Sequence, residues 1–140
     1  MIYIASPFFN EKQLELVKLI ETTLNKNRIP YYSPRSEGTL GDMSEEERQA
    51  WKKSIYLKNV CNICDCSLMV AVIDDRDIGT IWEMGYATSA GKPIISLSNS
   101  NHGLNVMLAE SVQAHVLSVD DMMHAIMDPE YKGQLQTGVV

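Results

Sequence analysis

Four carboxylates gather in the middle of the chain: Asp74, Asp75 and Asp77 in the run VIDDRDIG, and Glu83 just beyond, in TIWEMG. Carboxylates attack electrophilic carbon or move protons, and a group of them in different surroundings can divide those tasks. Ser67 to Ile73 has the length and β-branched content of a buried strand, Asp74 to Asp77 follow as an acidic turn, and Gly79 opens a helix that ends at Gly91. Open α/β sheets bind ligands at the carboxyl ends of their strands, so this turn is where chemistry is expected. On a helical wheel Ile78, Ile81, Trp82 and Gly85 share the inward face, with Gly85 permitting close approach to the sheet, which points Glu83 well away from it and toward a ligand. The first turns of a helix favour the carboxylate anion, the form a nucleophile needs. Thr80-Ile81-Trp82-Glu83 is also a capping box, in which Glu83 would only satisfy the backbone at the helix start. Spacing alone leaves both roles open.

These residues belong to one domain. A chain of 140 residues with 45% hydrophobic content buries an adequate core without disulfides or metal. The net charge of -6 argues against a nucleic-acid polymer, which demands a basic stripe, so any nucleic-acid link runs through monomers. No apolar run approaches a membrane span, and the start MIYIASPFF has neither a basic n-region nor a cleavage pattern, so a cytoplasmic protein is expected. Cys61, Cys64 and Cys66 invite a metal reading, yet a tetrahedral site needs four ligands, and His102, His115 and His124 stand at no paired spacing with them. They read as buried small hydrophobes at a helix end, and no metal or cofactor is expected.

Residues 1 to 5 begin a first central strand whose carboxyl end delivers Ser6, Pro7, Phe8, Phe9 and Asn10 into a turn. Two aromatics at the mouth of a crevice serve equally as core or as a surface on which a planar base stacks. Leu14, Val17, Ile20 and Leu24 recur at helical spacing between Asn10 and Asn27, a crossover helix, and Arg28 to Ser33 suggests a short strand. Pro34 to Asp42 is too polar and Gly-rich for an element and is the candidate substrate-covering loop, with Arg35, Ser36 and Glu37 as possible contacts or as solvated residues. Ser44 and Glu47 open a long helix to about Cys64, with Trp51, Ile55 and either Leu57 or Cys61 facing inward. After Pro93 come a strand at Ile94 to Leu97, a polar turn, a short helix at Leu104 to Glu110, a last strand at Ala114 to Val119 and a helix at Asp120 to Met127.

Taken together, these residues resemble the nucleoside 2-deoxyribosyltransferase family: Tyr3 in MIYIASPFFN, Asp65 closing a helix before the central strand, Asp77-Ile78-Gly79 followed by Trp82 to Ala87, then Gly91-Lys92-Pro93 and Asn105-Val106-Met107. The resemblance covers roughly residues 1 to 110. It implies transfer of 2-deoxyribose between nucleobases, in nucleoside salvage, through a covalent deoxyribosyl-glutamate on Glu83. Tyr3 then orients that carboxylate and Asp77 handles the base. Phe8, as a wall of the base pocket, Ser6, Arg35, Ser36, Gly79, Asn105 and Met107 are the implied substrate contacts. Asp65 serves the strand entry, and Asp74 and Asp75 read as solvated turn residues. Asn105 and Met107 are implied to reach a neighbouring subunit's site, hence a homo-oligomer with shared active sites, and asparagine at that position points to unphosphorylated 2′-deoxynucleosides and free nucleobases. The chain departs from the family at Leu57, where an aspartate usually helps hold the leaving base, and in its C-terminus, which ends in Val140 rather than an aromatic.

The expected architecture is a single-domain, Rossmann-like (flavodoxin-like) doubly wound α/β sheet of about five mostly parallel strands, without a dinucleotide fingerprint, over residues 1–132, with 133–140 as a tail. Two other functions fit the same residues. One is an N-glycosidase of deoxynucleosides or their monophosphates, in which water replaces the acceptor base; the other is a non-catalytic nucleotide-binding module.

Overall fold

The computed structural model describes residues 1–38, 41–100 and 103–137. In chain order it contains β1 (Ile2–Ala5), α1 (Glu11–Lys26), β2 (Tyr31–Tyr32), α2 (Glu45–Asp65), β3 (Leu68–Val72), α3 (Ile78–Ser89), β4 (Ile94–Leu97), α4 (Val106–Ser111), β5 (Ala114–Val116) and α5 (Val119–Met127). The strands form one sheet in the order β2-β1-β3-β4-β5, and all pair in parallel. Parallel pairing requires crossovers, and the helices supply them on both faces.

The two-residue period of the strands divides the core. Ile2, Ile4, Val70, Val72, Ile95 and Leu97 face α1 and α5. Tyr3, Ala5, Met69, Ala71 and Ile94 face Ile63 of α2, Met84 and Ala87 of α3, and the apolar residues around α4. Strand order reverses between β1 and β3, so their carboxyl ends open a crevice, the position at which such sheets bind ligands. Asn10 caps α1 by accepting from the Gln13 N–H at 2.9 Å, and Ser44 caps α2 by accepting from the Glu47 N–H at 3.2 Å.

Several elements differ from expectation. The second strand is only Tyr31–Tyr32, and Pro34–Glu37 wind into a 3-10 turn inside the expected loop. In α2 only Ile63 is buried, while Leu57 and Cys61 are exposed and Trp51 and Ile55 half-buried. Cys66 is buried, whereas Cys64 joins Cys61 at the surface. Within the tail expected over 133–140, Gly133 bridges His115 of β5, Leu135 packs against the core cluster that includes Met84 and Ala87, and residues Gln134–Thr137 form a 3-10 turn. A Cβ at Gly133 would lie 2.2 Å from the His115 carbonyl oxygen, so that approach requires glycine.

The largest difference is the rotation of α3. It buries Thr80, Met84 and Ala87; of the expected stripe only Ile81 packs on the core, while Ile78 is 87% and Trp82 49% exposed and a Cβ on Gly85 would meet nothing within 4 Å. Trp82 is covered laterally instead, by Tyr86 (ring centroids 5.5 Å apart) and by Tyr56 of α2 (5.9 Å). The rotation brings Glu83 round toward the sheet rather than away from it.

Candidate active site

From within β1 the Tyr3 hydroxyl donates a hydrogen bond to Glu83 Oε2. Tyr3 is fully buried on the face shared with α3, and burial together with the Glu83 charge pushes its hydroxyl far above the usual tyrosine range, so it stays protonated and donates to Glu83. Burial pushes the Glu83 carboxyl up to about 7; the Tyr3 hydrogen bond opposes this rise and the nearby Asp77 charge adds to it. The expectation that helix position alone would favour the anion is therefore corrected, because desolvation outweighs the helix dipole here.

The helix opens at Ile78, one residue before Gly79, and its N-cap is Asp77. Asp77 Oδ2 accepts from the Thr80 backbone N–H at 2.9 Å and from the Thr80 hydroxyl at 3.0 Å. The capping-box role of Glu83 is thereby excluded, since its carboxylate is turned to Tyr3. Asp77 Oδ2 thus holds the helix start through both Thr80 groups. Gly79 lies directly beneath this cap, where a Cβ would come 3.2 Å from Asp77 Oδ2.

The turn before Asp77 is held from both sides; Asp74 is half-buried rather than solvated, whereas Asp75 is exposed. Asp74 accepts from the Ser98 hydroxyl at 2.7 Å and the Asn99 N–H at 2.9 Å, and Asp75 accepts from the Gln13 side chain at 2.8 Å. Asp75 (φ 63°) and Arg76 (φ 50°) are both left-handed, a conformation that non-glycine residues adopt only when neighbours hold them there. This turn forms one wall of a cleft of about 840 Å³ that also includes Gln13, Ser98, Asn105 and Met107. Tyr3, Asp77 and Glu83 are not among its lining residues.

The other expected contacts are dispersed. Ser6 is buried and donates to the Pro7 carbonyl at 2.9 Å. Phe8 is half-buried against the α1-side core and stacks on exposed Phe9 with centroids 5.0 Å apart. Arg35 is drawn to the opposite face of the sheet from Glu83, where its guanidinium pairs with Glu21 of α1. The Ser36 hydroxyl donates to the Ser33 carbonyl at 2.8 Å, and both serines line a shallow groove with Arg35. Asn105 caps α4 by accepting from the Leu108 N–H at 3.0 Å, and Met107 is 73% exposed.

Tyr32 is an unexpected member of the site. It stands opposite Tyr3 in the β1–β2 register, with ring centroids 5.6 Å apart, and its hydroxyl donates to Asn59 Oδ1 at 3.1 Å. Burial, the adjoining Glu37 carboxylate and the more distant Glu83 push Tyr32 up to about 12. Glu37 is in turn paired with Lys58 at 2.8 Å. Asn59, not Leu57, is thus the residue that α2 turns toward the sheet. The only sequence sign of this was the tyrosine pair after Pro30. Among the described residues no three His, Cys, Asp or Glu side chains are grouped to hold a metal ion, and no helix is long and apolar enough to cross a membrane.

Comparison with solved structures places these features in context. The chain is similar to the 2-deoxyribosyltransferase of the psychrotolerant bacterium Bacillus psychrosaccharolyticus, with a TM-score of 0.76 and 30% identity over 86% of this chain and 88% of that one. A conserved protein from Enterococcus faecalis V583 (TM-score 0.61, 17% identity, 99% and 93% covered) and the CMP N-glycosidase of Clostridium botulinum (0.60, 15%, 90% and 96%) share the fold. No curated protein matches the chain by sequence. The model of the nucleoside 2-deoxyribosyltransferase family matches residues 2–127, spanning both strands of the crevice and the Tyr3–Glu83 pair, and the chain belongs to that family.

Proposed function

We propose that the protein transfers 2-deoxyribose between nucleobases by double displacement at Glu83. The observation that carries this reading is the buried Tyr3–Glu83 hydrogen bond beside the Asp77 cap. Tyr3 fixes Oε2 and leaves Oε1 to attack C1′ of a 2′-deoxynucleoside. The Oε1–C1′ bond forms as the C1′–N bond breaks, and the base departs with that electron pair. A second base then attacks C1′, releasing the carboxylate, and two inversions give retention. The transition state carries positive charge on the sugar, which an anionic carboxylate in a partly desolvated site stabilises strongly. Asp77 holds the base while it takes up a proton.

Hydrolysis, in which water replaces the acceptor base, is the second reading, and the exposed Leu57, where an aspartate would help hold the leaving base, favours a non-catalytic binding module as the third. Incubation with thymidine and adenine separates the possibilities: deoxyadenosine supports transfer, free deoxyribose supports hydrolysis, and neither product leaves a binding module. The same reading includes a homo-oligomer in which Asn105 and Met107 complete a neighbour's site, consistent with the exposure of Val106 and Met107, and unphosphorylated nucleosides as substrates.

A further inference from the structure

Gln13 uses both ends of its side-chain amide across the crevice. Its Oε1 accepts from the Phe9 backbone N–H at 2.9 Å, and its Nε2 donates to Asp75 Oδ2 at 2.8 Å. The chemistry of the partners fixes this orientation, since a backbone N–H requires an acceptor and a carboxylate requires a donor. Phe9 belongs to the turn after β1, next to Phe8, whereas Asp75 belongs to the left-handed turn after β3, two residues before Asp77. These are the two turns that border the switch point of the sheet. On the far side the second turn is pinned by Asp74 to Ser98 and Asn99, so Gln13 supplies its only described side-chain link toward β1.

We propose that Gln13 is a positioning residue that clasps the turn after β1 to the turn after β3 and so sets the width of the crevice between these two turns. Its consequence for catalysis rests on the transfer reading: a loosened crevice admits water to the deoxyribosyl-enzyme, so product shifts from transferred nucleoside to free deoxyribose. Gln13 itself touches no reacting atom.

A charge swap tests the clasp. Gln13→Glu sets a carboxylate against Asp75 and breaks that arm; adding Asp75→Asn supplies an amide donor to the new carboxylate and rebuilds it with the polarity reversed. Asparagine tolerates the left-handed conformation at least as well as aspartate. Hydrogen exchange should show the Phe9 amide and the amides of residues 74–77 losing protection together in Gln13→Glu and recovering in the double variant. With thymidine and adenine, Gln13→Glu should lower kcat/KM by about 10- to 100-fold and raise the share of free deoxyribose, and the double variant should return within about threefold of wild type. The proposal is overturned if the two turns lose protection independently, if the double variant fails to restore it, or if protection changes while product partition does not. A wild-type protein that makes neither product counts against the transfer reading, and the exchange measurement alone then decides whether the clasp exists.

Discussion

Replacing Glu83 with glutamine separates its proposed role as nucleophile from its behaviour as a buried acid. In wild type the carboxyl is raised from 4.5 to about 7 chiefly by burial, so between these values the folded protein binds a proton that the unfolded chain does not. The stability from that proton is present at acid pH and is lost as pH rises through 7. Integrated from pH 8 to pH 5, it amounts to roughly 2–3 kcal/mol in favour of the folded wild type. Glutamine has no such dependence, and its oxygen still accepts the Tyr3 proton. The stability of Glu83→Gln relative to wild type should therefore be higher by roughly 2–3 kcal/mol at pH 8 than at pH 5. Groups that titrate alike in both proteins cancel in this difference. Urea titrations followed by Trp82 fluorescence at the two pH values measure it, while deoxyribosyl transfer should fall by orders of magnitude. An equal stability difference at both pH values would refute the buried-acid argument, and retained activity would refute the nucleophile.

The Tyr3 hydroxyl opposes the rise of the Glu83 carboxyl, so Tyr3→Phe should move the acid limb of the kcat/KM profile to higher pH as well as lowering its plateau; an unmoved limb would count against that hydrogen bond. Asp77→Ala should cost about 0.5–2 kcal/mol through the lost cap and, beyond that, slow nucleosides whose base needs protonation more than those with an activated leaving group. Equal slowing would reduce Asp77 to its cap. Because Arg35 is bound to Glu21 on the far face, Arg35→Ala should leave KM within about twofold of wild type while lowering the urea midpoint, and a large rise in KM would restore it as a substrate contact. Mixed and refolded Glu83→Ala and Asn105→Ala subunits should regain activity at about a quarter of the sites of a dimer if Asn105 acts in trans, with mass spectrometry confirming that subunits exchanged.

The strand pattern was legible because it reflects burial alone. Apolar runs at Leu68–Val72 and Ile94–Leu97 lie between two layers of helices, and nothing in their surroundings competes with that arrangement. The orientation of α3 was not legible. Its wheel contains more apolar side chains than the sheet can cover, and the choice of stripe depends on partners distant in sequence. Tyr56 of α2 offers an aromatic neighbour that lets Trp82 sit at the surface, and Thr80 is recruited inward through the Asp77 cap. A helical moment computed from one segment has no access to either contact.

The same reasoning explains why the Tyr3–Glu83 pair is not visible in local spacing. Tyr3 and Glu83 are 80 residues apart and meet only because β1 and β3 are parallel neighbours with α3 lying across them. Locally, Glu83 belongs to a capping box, and that role stays available until Asp77 occupies the helix start. Once Asp77 Oδ2 binds both the backbone and the hydroxyl of Thr80, Glu83 is released from the helix terminus and the rotation of α3 carries it to the tyrosine. Asp77 therefore has two effects on Glu83: its cap occupies the helix start and leaves the Glu83 carboxylate to Tyr3, and its charge helps to hold the Glu83 carboxyl near 7. Loss of Asp77 should lower the Glu83 pKa even as it disorders the helix start, so a fall in activity together with an acid limb displaced to lower pH would identify both effects in one protein.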